Sequence, residues 1–296
     1  MSTHRPDSMR RAWLLALACT PFMGAHAALA PMPGTTVLAK LADLERESGG
    51  RLGVSAWNTA TGRKLQQRAE ERFPFCSTFK VLAVAAILSR SVQDEALLGR
   101  RIKYERDVMV SYSPVTEQHL NDGMTVAELC AAAIQYSDNT AANLLMKLMG
   151  GPQDVTTFAR HIGDQSFQLE RWETELNTAI PGDPRDTTTP QAMMESLHKL
   201  LLGSVLPSRQ RDQLAGWMLG NTTGGARIRA GVPAGWKVAD KTGTGDNGTS
   251  NDVAVLWPGD KAPIVVVIYL TQSPANDGLR NSIIARAAAL VAEEFR

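Results

Sequence analysis

The sequence predicts an α/β fold (α+β) in which an antiparallel sheet, flanked by helices, is built from both ends of the chain. Three segments near the C-terminus, WKVADKTG, NDVAVLWP and APIVVVIYLTQ, have the composition of strands and are separated by turn residues. A further pair of short strands is indicated near the N-terminus, on either side of Thr61-Gly62. Between these regions the signals are mostly helical. We therefore expect a helical lobe inserted into a sheet lobe, with a small-molecule site in the cleft between them.

The predicted organisation has three parts, of which the first is a secretory signal peptide at residues 1–27. Arg10 and Arg11 precede a short apolar run, and small residues lead to a predicted cleavage near Ala27. The paired arginines leave open a Sec or a twin-arginine route. We expect a periplasmic protein with no membrane anchor after cleavage. The sheet lobe is predicted at residues 28–70 plus 221–296, and the helical lobe at 71–220.

Helices are predicted wherever apolar residues recur at three- and four-residue spacing. They cover residues 36–48, 77–89, 125–135, 139–149, 190–202 and 279–294. The fifth begins with Thr189 as its cap and Pro190 in its first turn. The second is unusual, because Val81 to Leu88 includes no polar residue. A helix that is apolar on all sides is buried, so Lys80 at its start needs an explanation.

Composition and charge exclude several classes of partner. The chain has 296 residues, of which 44% are hydrophobic and 21% charged, with a formal net charge of +1. This balance gives no electrostatic case for a nucleic acid or an anionic membrane. The three histidines after the predicted cleavage show no zinc-ligand spacing, so no metal site is predicted. Two cysteines remain, Cys76 and Cys130, and their pairing stays open on spacing alone.

Ser77 and Lys80 form the first candidate for chemistry. Residues three apart share one face of a helix, and a helix N-terminus favours negative charge on a hydroxyl placed there. A desolvated lysine has a lowered pKa and can accept the proton of a neighbouring serine. The alternative is structural: Ser77 caps the helix and Lys80 extends to solvent.

Two further motifs follow in the chain. Ser137-Asp138-Asn139 precedes an apolar helix, and Lys241-Thr242-Gly243 ends a predicted strand. Taken singly, the first is a helix-capping cluster and the second an exposed strand edge. Together with Ser77-x-x-Lys80 they resemble the penicillin-recognising serine enzymes, and specifically the class A β-lactamases. The resemblance covers essentially the whole chain after the predicted cleavage.

The family resemblance extends to a loop that separates β-lactamases from transpeptidases. Glu173 and Asn177 match E-x-x-L-N in the family's omega loop, here at about residues 168–186. Rapid release of an acyl-enzyme requires a carboxylate that deprotonates a water, and this role falls to Glu173. Arg171 and Asp186 match the ion pair that closes the loop. In isolation, Glu173 would be read as a solvated helix residue.

The resemblance implies hydrolysis of the β-lactam amide bond of penicillins and cephalosporins through a serine acyl-enzyme, without a cofactor, and hence antibiotic resistance. Ser77 is the implied nucleophile, and Ser137 the proton donor to the lactam nitrogen. The acylation base is left open between Lys80 and Glu173. Backbone N–H groups of Ser77 and Thr244 would form the oxyanion hole. The implied substrate-binding residues are Tyr112, Asn139, Asn177, Arg227, Lys241, Thr242 and Thr244.

Some positions depart from common family patterns. Many members carry an arginine near Ser250, and here Arg227 is expected to take its place facing the substrate carboxylate. The family partners of Cys76 and Cys130 are replaced by Gly245 and Val84, so two free thiols are expected. A monomer is expected. Two other functions are kept: a D-alanyl-D-alanine carboxypeptidase, and a β-lactam sensor that stays acylated.

Overall fold

The structure, a computed structural model, describes residues 36–296. The predicted signal peptide and residues 28–35 of the predicted sheet lobe lie outside this range. Within residues 36–296, no helix has both the length and the apolar character needed to cross a lipid bilayer.

The strands of the described chain form one large and two small sheets. In chain order they are β1 (Arg51–Asn58), β2 (Lys64–Gln67), β3 (Phe73–Pro74), β4 (Arg101–Ile102), β5 (Met124–Thr125), β6 (Thr187–Thr188), β7 (Lys237–Gly245), β8 (Thr249–Trp257) and β9 (Ile264–Thr271). The large sheet is antiparallel, with the strand order β2-β1-β9-β8-β7. β1 pairs along its whole length with β9, from Arg51 opposite Thr271 to Asn58 opposite Ile264. The prediction of one sheet from both ends of the chain is thus confirmed.

The described chain has nine α-helices; six correspond to the predicted ones, to within two residues at most ends, and those at 152–161, 208–219 and 228–231 had no individual prediction. The nine are α1 (Val37–Ser48), α2 (Lys80–Arg90), α3 (Val126–Gln135), α4 (Asn139–Met149), α5 (Pro152–His161), α6 (Pro190–Leu201), α7 (Ser208–Leu219), α8 (Ile228–Gly231) and α9 (Asp277–Glu294). One start differs from the prediction. Ser77 lies in a 3₁₀ turn, Cys76–Phe79, and α2 itself begins at Lys80.

The two faces of the large sheet pack against different helices, because side chains alternate along each strand. On β8, Val253 and Val255 face a core shared with α2, α3, α4 and α6. Ala254 and Leu256 face a second core formed with α1 and α9. Both faces are therefore covered, which explains why the C-terminal strands read as nearly continuous apolar runs.

Helix α2 lies in the middle of the first core. Every residue from Lys80 to Leu88 is buried, as the absence of polar residues predicted. The helix contacts α3, α4, α5 and α7 on its several sides. Helices and sheet share this core, and the boundaries assigned to the two lobes stay a prediction.

Candidate active site

Lys80 is completely buried, and hydrogen bonds compensate its ammonium group. Its Nζ donates to Ser77 Oγ at 3.0 Å, to the backbone oxygen of Ser137 at 2.8 Å and to Asn139 Oδ1 at 2.6 Å. It also lies 3.0 Å from Glu173 Oε1. The lysine therefore does not extend to solvent, and the structural alternative for this residue is wrong.

Glu173 brings the omega loop into the same cluster. Its carboxylate accepts a hydrogen bond from Ser77 Oγ at 3.3 Å and another from Asn177 Nδ2 at 2.5 Å. Asn143 on α4 fixes the backbone of Glu173 from both sides: its Nδ2 donates to the Glu173 oxygen, and its Oδ1 accepts from the Glu173 N–H, each at 2.9 Å. The Glu173 carboxylate, the Lys80 amine and the Ser77 hydroxyl are thus in mutual contact, and all three residues are buried.

Ser137 lies between two buried lysines. Lys241 Nζ donates to Ser137 Oγ at 3.0 Å, and Lys80 Nζ lies 3.5 Å from the same oxygen. Lys241 also donates to the backbone oxygen of Thr242 at 2.8 Å. Ser137 has a φ of 58°, in the left-handed region that side chains other than glycine rarely adopt. We define the cleft cluster as Ser77, Lys80, Ser137, Glu173 and Lys241.

Burial sets the protonation of the two lysines. It lowers the pKa of Lys80, although the neighbouring Glu173 carboxylate acts in the opposite direction. It lowers the pKa of Lys241 further, well below the ordinary lysine value, and the positive charge of Lys80 adds to the effect. Each amine therefore holds its proton less tightly than a lysine in water, and each lies beside a serine hydroxyl.

The Ser-Asp-Asn motif serves two purposes. Asp138 caps α4 by accepting from the Ala141 N–H at 2.8 Å, so the capping alternative is right for this residue. The other two motif residues face the cleft cluster. Asn139 donates from its Nδ2 to the Ser111 oxygen at 2.9 Å, and its N–H donates to the Tyr112 oxygen at 3.0 Å. These bonds tie the loop at the cleft mouth to the start of α4.

A cavity of about 360 Å³ opens beside the cleft cluster. It is lined by Ser77, Tyr112, Ser137, Asn139, Asn177, Thr223, Arg227, Thr242, Gly243 and Thr244. Lys80, Glu173 and Lys241 lie beneath its floor and are buried. The structure thus brings together the predicted catalytic and substrate-binding residues. Another cavity, of about 370 Å³, is lined by Glu70, Asp164, Glu195 and Lys199 among others, and includes none of them.

Arg227 reaches the cavity from behind the strand edge. Its Nη2 donates to Thr244 Oγ1, and its Nη1 donates to the backbone oxygens of Gly243 and Asn251, all at 2.8 Å. The guanidinium is therefore fixed at the end of the cavity where Thr242 and Thr244 lie. Burial lowers its pKa from the ordinary arginine value.

The rim of the cavity contains one predicted residue and one that was not predicted. Tyr112 is 60% exposed, so it lies at the mouth and is not packed in a core. Thr223 lines the cavity and shares a hydrogen bond with Thr242 Oγ1 at 2.5 Å. Sequence reasoning missed Thr223 and Asn143. For Asn143 a signal existed, since it lies four residues after Asn139 on the same face of an apolar helix.

The neck of the omega loop is closed by the predicted ion pair. Arg171 Nε lies 2.5 Å from Asp186 Oδ2, and the other oxygen of Asp186 accepts from the backbone N–H groups of Glu170 and Arg171. Within the loop, the peptide bond from Glu173 to Thr174 is cis. The loop also contacts the end of β7 and the turn that follows this strand, where the Asp246 N–H donates to the Asn177 oxygen at 2.8 Å.

Both cysteines of the described chain are unpaired and buried, as predicted. Burial raises the pKa of each thiol. Gly245 lies against Cys76, and a Cβ atom at this position would come within 2.6 Å of Cys76 Sγ and of the Asn177 oxygen. Only glycine fits there without movement of the chain. Within residues 36–296, no group of three or more His, Cys, Asp or Glu residues is arranged to hold a metal ion.

Comparison with known proteins identifies the family. Residues 36–295 match the family model described as "Beta-lactamase enzyme family". The chain is 51% identical to Beta-lactamase OXY-1 of Klebsiella oxytoca, over 97% of this chain and 98% of that one. It is also 51% identical to Beta-lactamase Toho-1 of Escherichia coli, over 98% and 99% of the two chains.

Solved structures agree with these relatives. An ancestral class A β-lactamase (GNCA) superposes with a TM-score of 0.87 at 56% identity, covering 88% of this chain and 100% of that one. A putative class A β-lactamase, PenP from Rhodopseudomonas palustris, gives 0.86 at 53% identity, covering 87% and 99%. The chain therefore belongs to the class A β-lactamase family.

Proposed function

We propose that the protein hydrolyses the β-lactam amide bond of penicillins and cephalosporins through an acyl-enzyme on Ser77, and so confers antibiotic resistance. One observation carries the proposal. Ser77 Oγ lies 3.0 Å from Lys80 Nζ and 3.3 Å from Glu173 Oε1 at the edge of the cavity. A nucleophile, an amine and a carboxylate at such distances supply both halves of an acyl transfer to water. The family membership supports the same activity.

In the acylation half, Ser77 Oγ attacks the lactam carbonyl carbon. Its proton passes to Lys80 or to Glu173, and both lie within hydrogen-bond reach. The backbone N–H groups of Ser77 and Thr244 stabilise the oxyanion, where the loss of one donor costs about 2.7–4 kcal/mol. Ser137 Oγ then protonates the lactam nitrogen as the carbon–nitrogen bond breaks. Lys241, 3.0 Å away, stabilises the resulting negative charge on Ser137 until the proton that left Ser77 reaches Ser137 Oγ through Lys80, whose Nζ is 3.5 Å away.

In the deacylation half, Glu173 accepts a proton from a water molecule, whose oxygen attacks the ester carbon. The ester bond to Ser77 Oγ breaks, and the Ser77 hydroxyl recovers the proton that Glu173 took from the water, since the two groups are 3.3 Å apart. Asn177 donates to Glu173 through its Nδ2, which leaves its own Oδ1 free to accept from that water. The Glu173 carboxylate and the Asn177 amide oxygen thereby accept hydrogen bonds from the same water molecule.

The remaining cavity residues bind the substrate. Asn139 is proposed to hold the side-chain amide of the antibiotic, and Tyr112 to pack against it at the cleft mouth. The substrate carboxylate is assigned to the hydroxyls and cations at the other end of the cavity, which are Thr242, Thr244, Lys241 and Arg227. This division leaves the scissile bond above Ser77.

Steady-state hydrolysis tests the proposed function. We expect turnover of a chromogenic cephalosporin and of benzylpenicillin, with little release of D-alanine from a D-Ala-D-Ala peptide. The reverse preference would identify a carboxypeptidase. A single burst of product without turnover would identify a sensor that stays acylated. Either result would overturn the proposal.

The export and organisation of the chain are part of the same proposal. We place cleavage after Ala27 and the mature protein in the periplasm, as a monomer with a sheet lobe (28–70 plus 221–296) and a helical lobe (71–220). An enzyme that hydrolyses antibiotics before the antibiotics reach the cell wall needs this location. The mass of the protein released by osmotic shock tests the cleavage site. The mature chain should show two thiols that react only after unfolding, because Cys76 and Cys130 are buried.

A further inference from the structure

Two buried carboxyls take no part in the proposed mechanism. Asp240 and Asp252 lie on the neighbouring strands β7 and β8, and both are completely buried. Asp252 is directly opposite Thr242 in the strand register, and Asp240 is two residues before Thr242. Both carboxyls therefore share a sheet face with Thr242 and Thr244, the threonines assigned to the substrate carboxylate.

The two aspartates hold both ends of one segment, residues 221–229. Asp240 accepts from Asn221 Nδ2 at 2.6 Å and from Arg229 Nε at 2.7 Å. Asp252 accepts from the backbone N–H of Ile228 at 3.0 Å. We call Asn221, Arg229, Asp240 and Asp252 the anchor cluster.

The middle of this segment carries two cavity-lining residues, Thr223 and Arg227. Asn221 Oδ1 accepts from both the N–H and the hydroxyl of Thr223, at 3.1 and 2.8 Å. A chain of hydrogen bonds consequently leads from Asp240 through Asn221 and Thr223 to the Thr242 hydroxyl. Arg227 immediately precedes the N–H that Asp252 holds, and its guanidinium reaches Thr244.

We infer that Asp240 and Asp252 are positioning residues, which hold Thr223 and Arg227 against Thr242 and Thr244 and thereby set the recognition of the substrate carboxylate. The inference rests on the proposed function. Two carboxyls without access to water are costly to bury, and Asp252 Oδ1 has no hydrogen-bond partner among the described residues. Such a cost is found where a site must be held in one geometry.

Alanine substitutions at two adjacent glycines offer a matched test in which no carboxyl is replaced. A Cβ atom on Gly224 would come within 1.9 Å of Asp240 Oδ2, so alanine there must push the segment away from its anchor. A Cβ atom on Gly225 would meet no described atom within 4 Å. Gly224→Ala therefore disturbs the anchor cluster, and Gly225→Ala is its control.

The measurement is kcat/KM for benzylpenicillin and for its methyl ester, which lacks the negative charge. Wild type and Gly225→Ala should prefer the free acid by the same factor. In Gly224→Ala we expect this acid-to-ester ratio to fall by about tenfold or more, with hydrolysis of the ester nearly retained. Equal losses for both substrates, or an unchanged ratio, would overturn the inference. If the wild type hydrolyses neither compound, the proposed function fails instead.

A second pair of variants covers the case in which Gly224→Ala does not fold. Asp252→Asn keeps an acceptor oxygen for the Ile228 N–H, whereas Asp252→Leu has the same number and branching of side-chain heavy atoms and no acceptor. The acid-to-ester ratio should be lower in Asp252→Leu than in Asp252→Asn. Equal ratios in the two variants would contradict a positioning role for this carboxyl.

Discussion

The cleft cluster and the anchor cluster are both buried, and both include a residue of β7. They differ in the balance of charge, because basic groups are in excess in the cleft cluster and acidic groups in the anchor cluster. Lys241 faces the cleft and its neighbour Asp240 faces away, because successive side chains of a strand point to opposite faces. The cleft cluster has two lysines for one carboxylate. The anchor cluster has two carboxyls: Asp240 accepts from Asn221 and Arg229, and Asp252 accepts from the Ile228 N–H.

The two clusters also differ in the groups that surround the charge. In the cleft cluster, Lys80 and Lys241 contact serine hydroxyls beside an open cavity, which is the arrangement that the proposed proton transfers require. In the anchor cluster, Asp240 accepts from the side chains of Asn221 and Arg229, neither of which lines the cavity. Burial of charge thus serves reactivity on one side of the sheet and geometry on the other.

Removal of the cleft carboxylate should give the largest effect. We expect Glu173→Ala to lower kcat by about 10²–10⁴-fold, because deacylation loses its general base while Ser77 and Lys80 remain. Mass spectrometry of the variant after mixing with penicillin should find a persistent adduct of the substrate mass. Glu175→Ala is the control, since Glu175 is exposed two residues away. The absence of any persistent adduct would show that the two halves of the reaction are assigned wrongly.

An effect of intermediate size is expected from the charge of Asp240 in the anchor cluster, which acts on the pKa of Lys241 in the cleft cluster. The pKa of Lys241 is lowered by burial and by Lys80, and the Asp240 carboxylate partly counteracts this. As pH rises, Lys241 loses its proton below the ordinary lysine range, and recognition of the substrate carboxylate declines. In Asp240→Asn the counteracting charge is absent, so the alkaline limb of kcat/KM should move to lower pH.

The pH profile of kcat/KM for benzylpenicillin measures this shift. Asp212→Asn, the same chemical change at an exposed residue of α7, should leave the alkaline limb where it is in the wild type. If the alkaline limb of Asp240→Asn stays in place or moves to higher pH, the charge of Asp240 does not raise the pKa of Lys241.

The smallest effect concerns stability alone. Burial and the neighbouring Asp240 raise the pKa of Asp252 well above its ordinary value. An acid whose folded-state pKa is raised stabilises the fold fully below its unfolded pKa, and this contribution is lost as pH rises through the folded pKa. Asp252→Asn has no such proton to lose. Its Tm relative to wild type should therefore increase from about pH 4 to about pH 8.

Thermal unfolding at several pH values checks this expectation. Each unit by which the pKa is raised corresponds to about 1.4 kcal/mol, or a few degrees in Tm for a domain of this size. Parallel Tm curves for wild type and Asp252→Asn would mean that Asp252 carries its charge in the folded state.

Local motifs allowed the sequence to predict the cleft cluster, but not the anchor cluster. Ser77 with Lys80 and Glu173 with Asn177 are short spacings whose residue types have a direct chemical meaning. The partners of Asp240 and Asp252 depend on the register of β7 with β8 and on the path of residues 221–229, which no short spacing encodes. One signal was present: each aspartate directly adjoins an apolar stretch of its strand, Val238-Ala239 before Asp240 and residues 253–257 after Asp252.

The prediction of the helix around Lys80 shows a second limit. The apolar run from Val81 to Leu88 correctly indicated a buried helix. It did not indicate that Ser77 lies in a 3₁₀ turn before Lys80, because the two helix types differ by only one residue in their hydrogen bonding. The serine and the lysine still meet, since three residues complete one turn of a 3₁₀ helix.

The pairing of β1 with β9 has a consequence for the order of folding. These central strands come from opposite ends of the described chain, so a ribosome has made almost the whole polypeptide before β1 meets its partner. Closing so long a loop carries a large entropic cost, and topologies of this kind fold slowly. The large sheet is thereby completed only after all the helices between β1 and β9 in the chain have been synthesised.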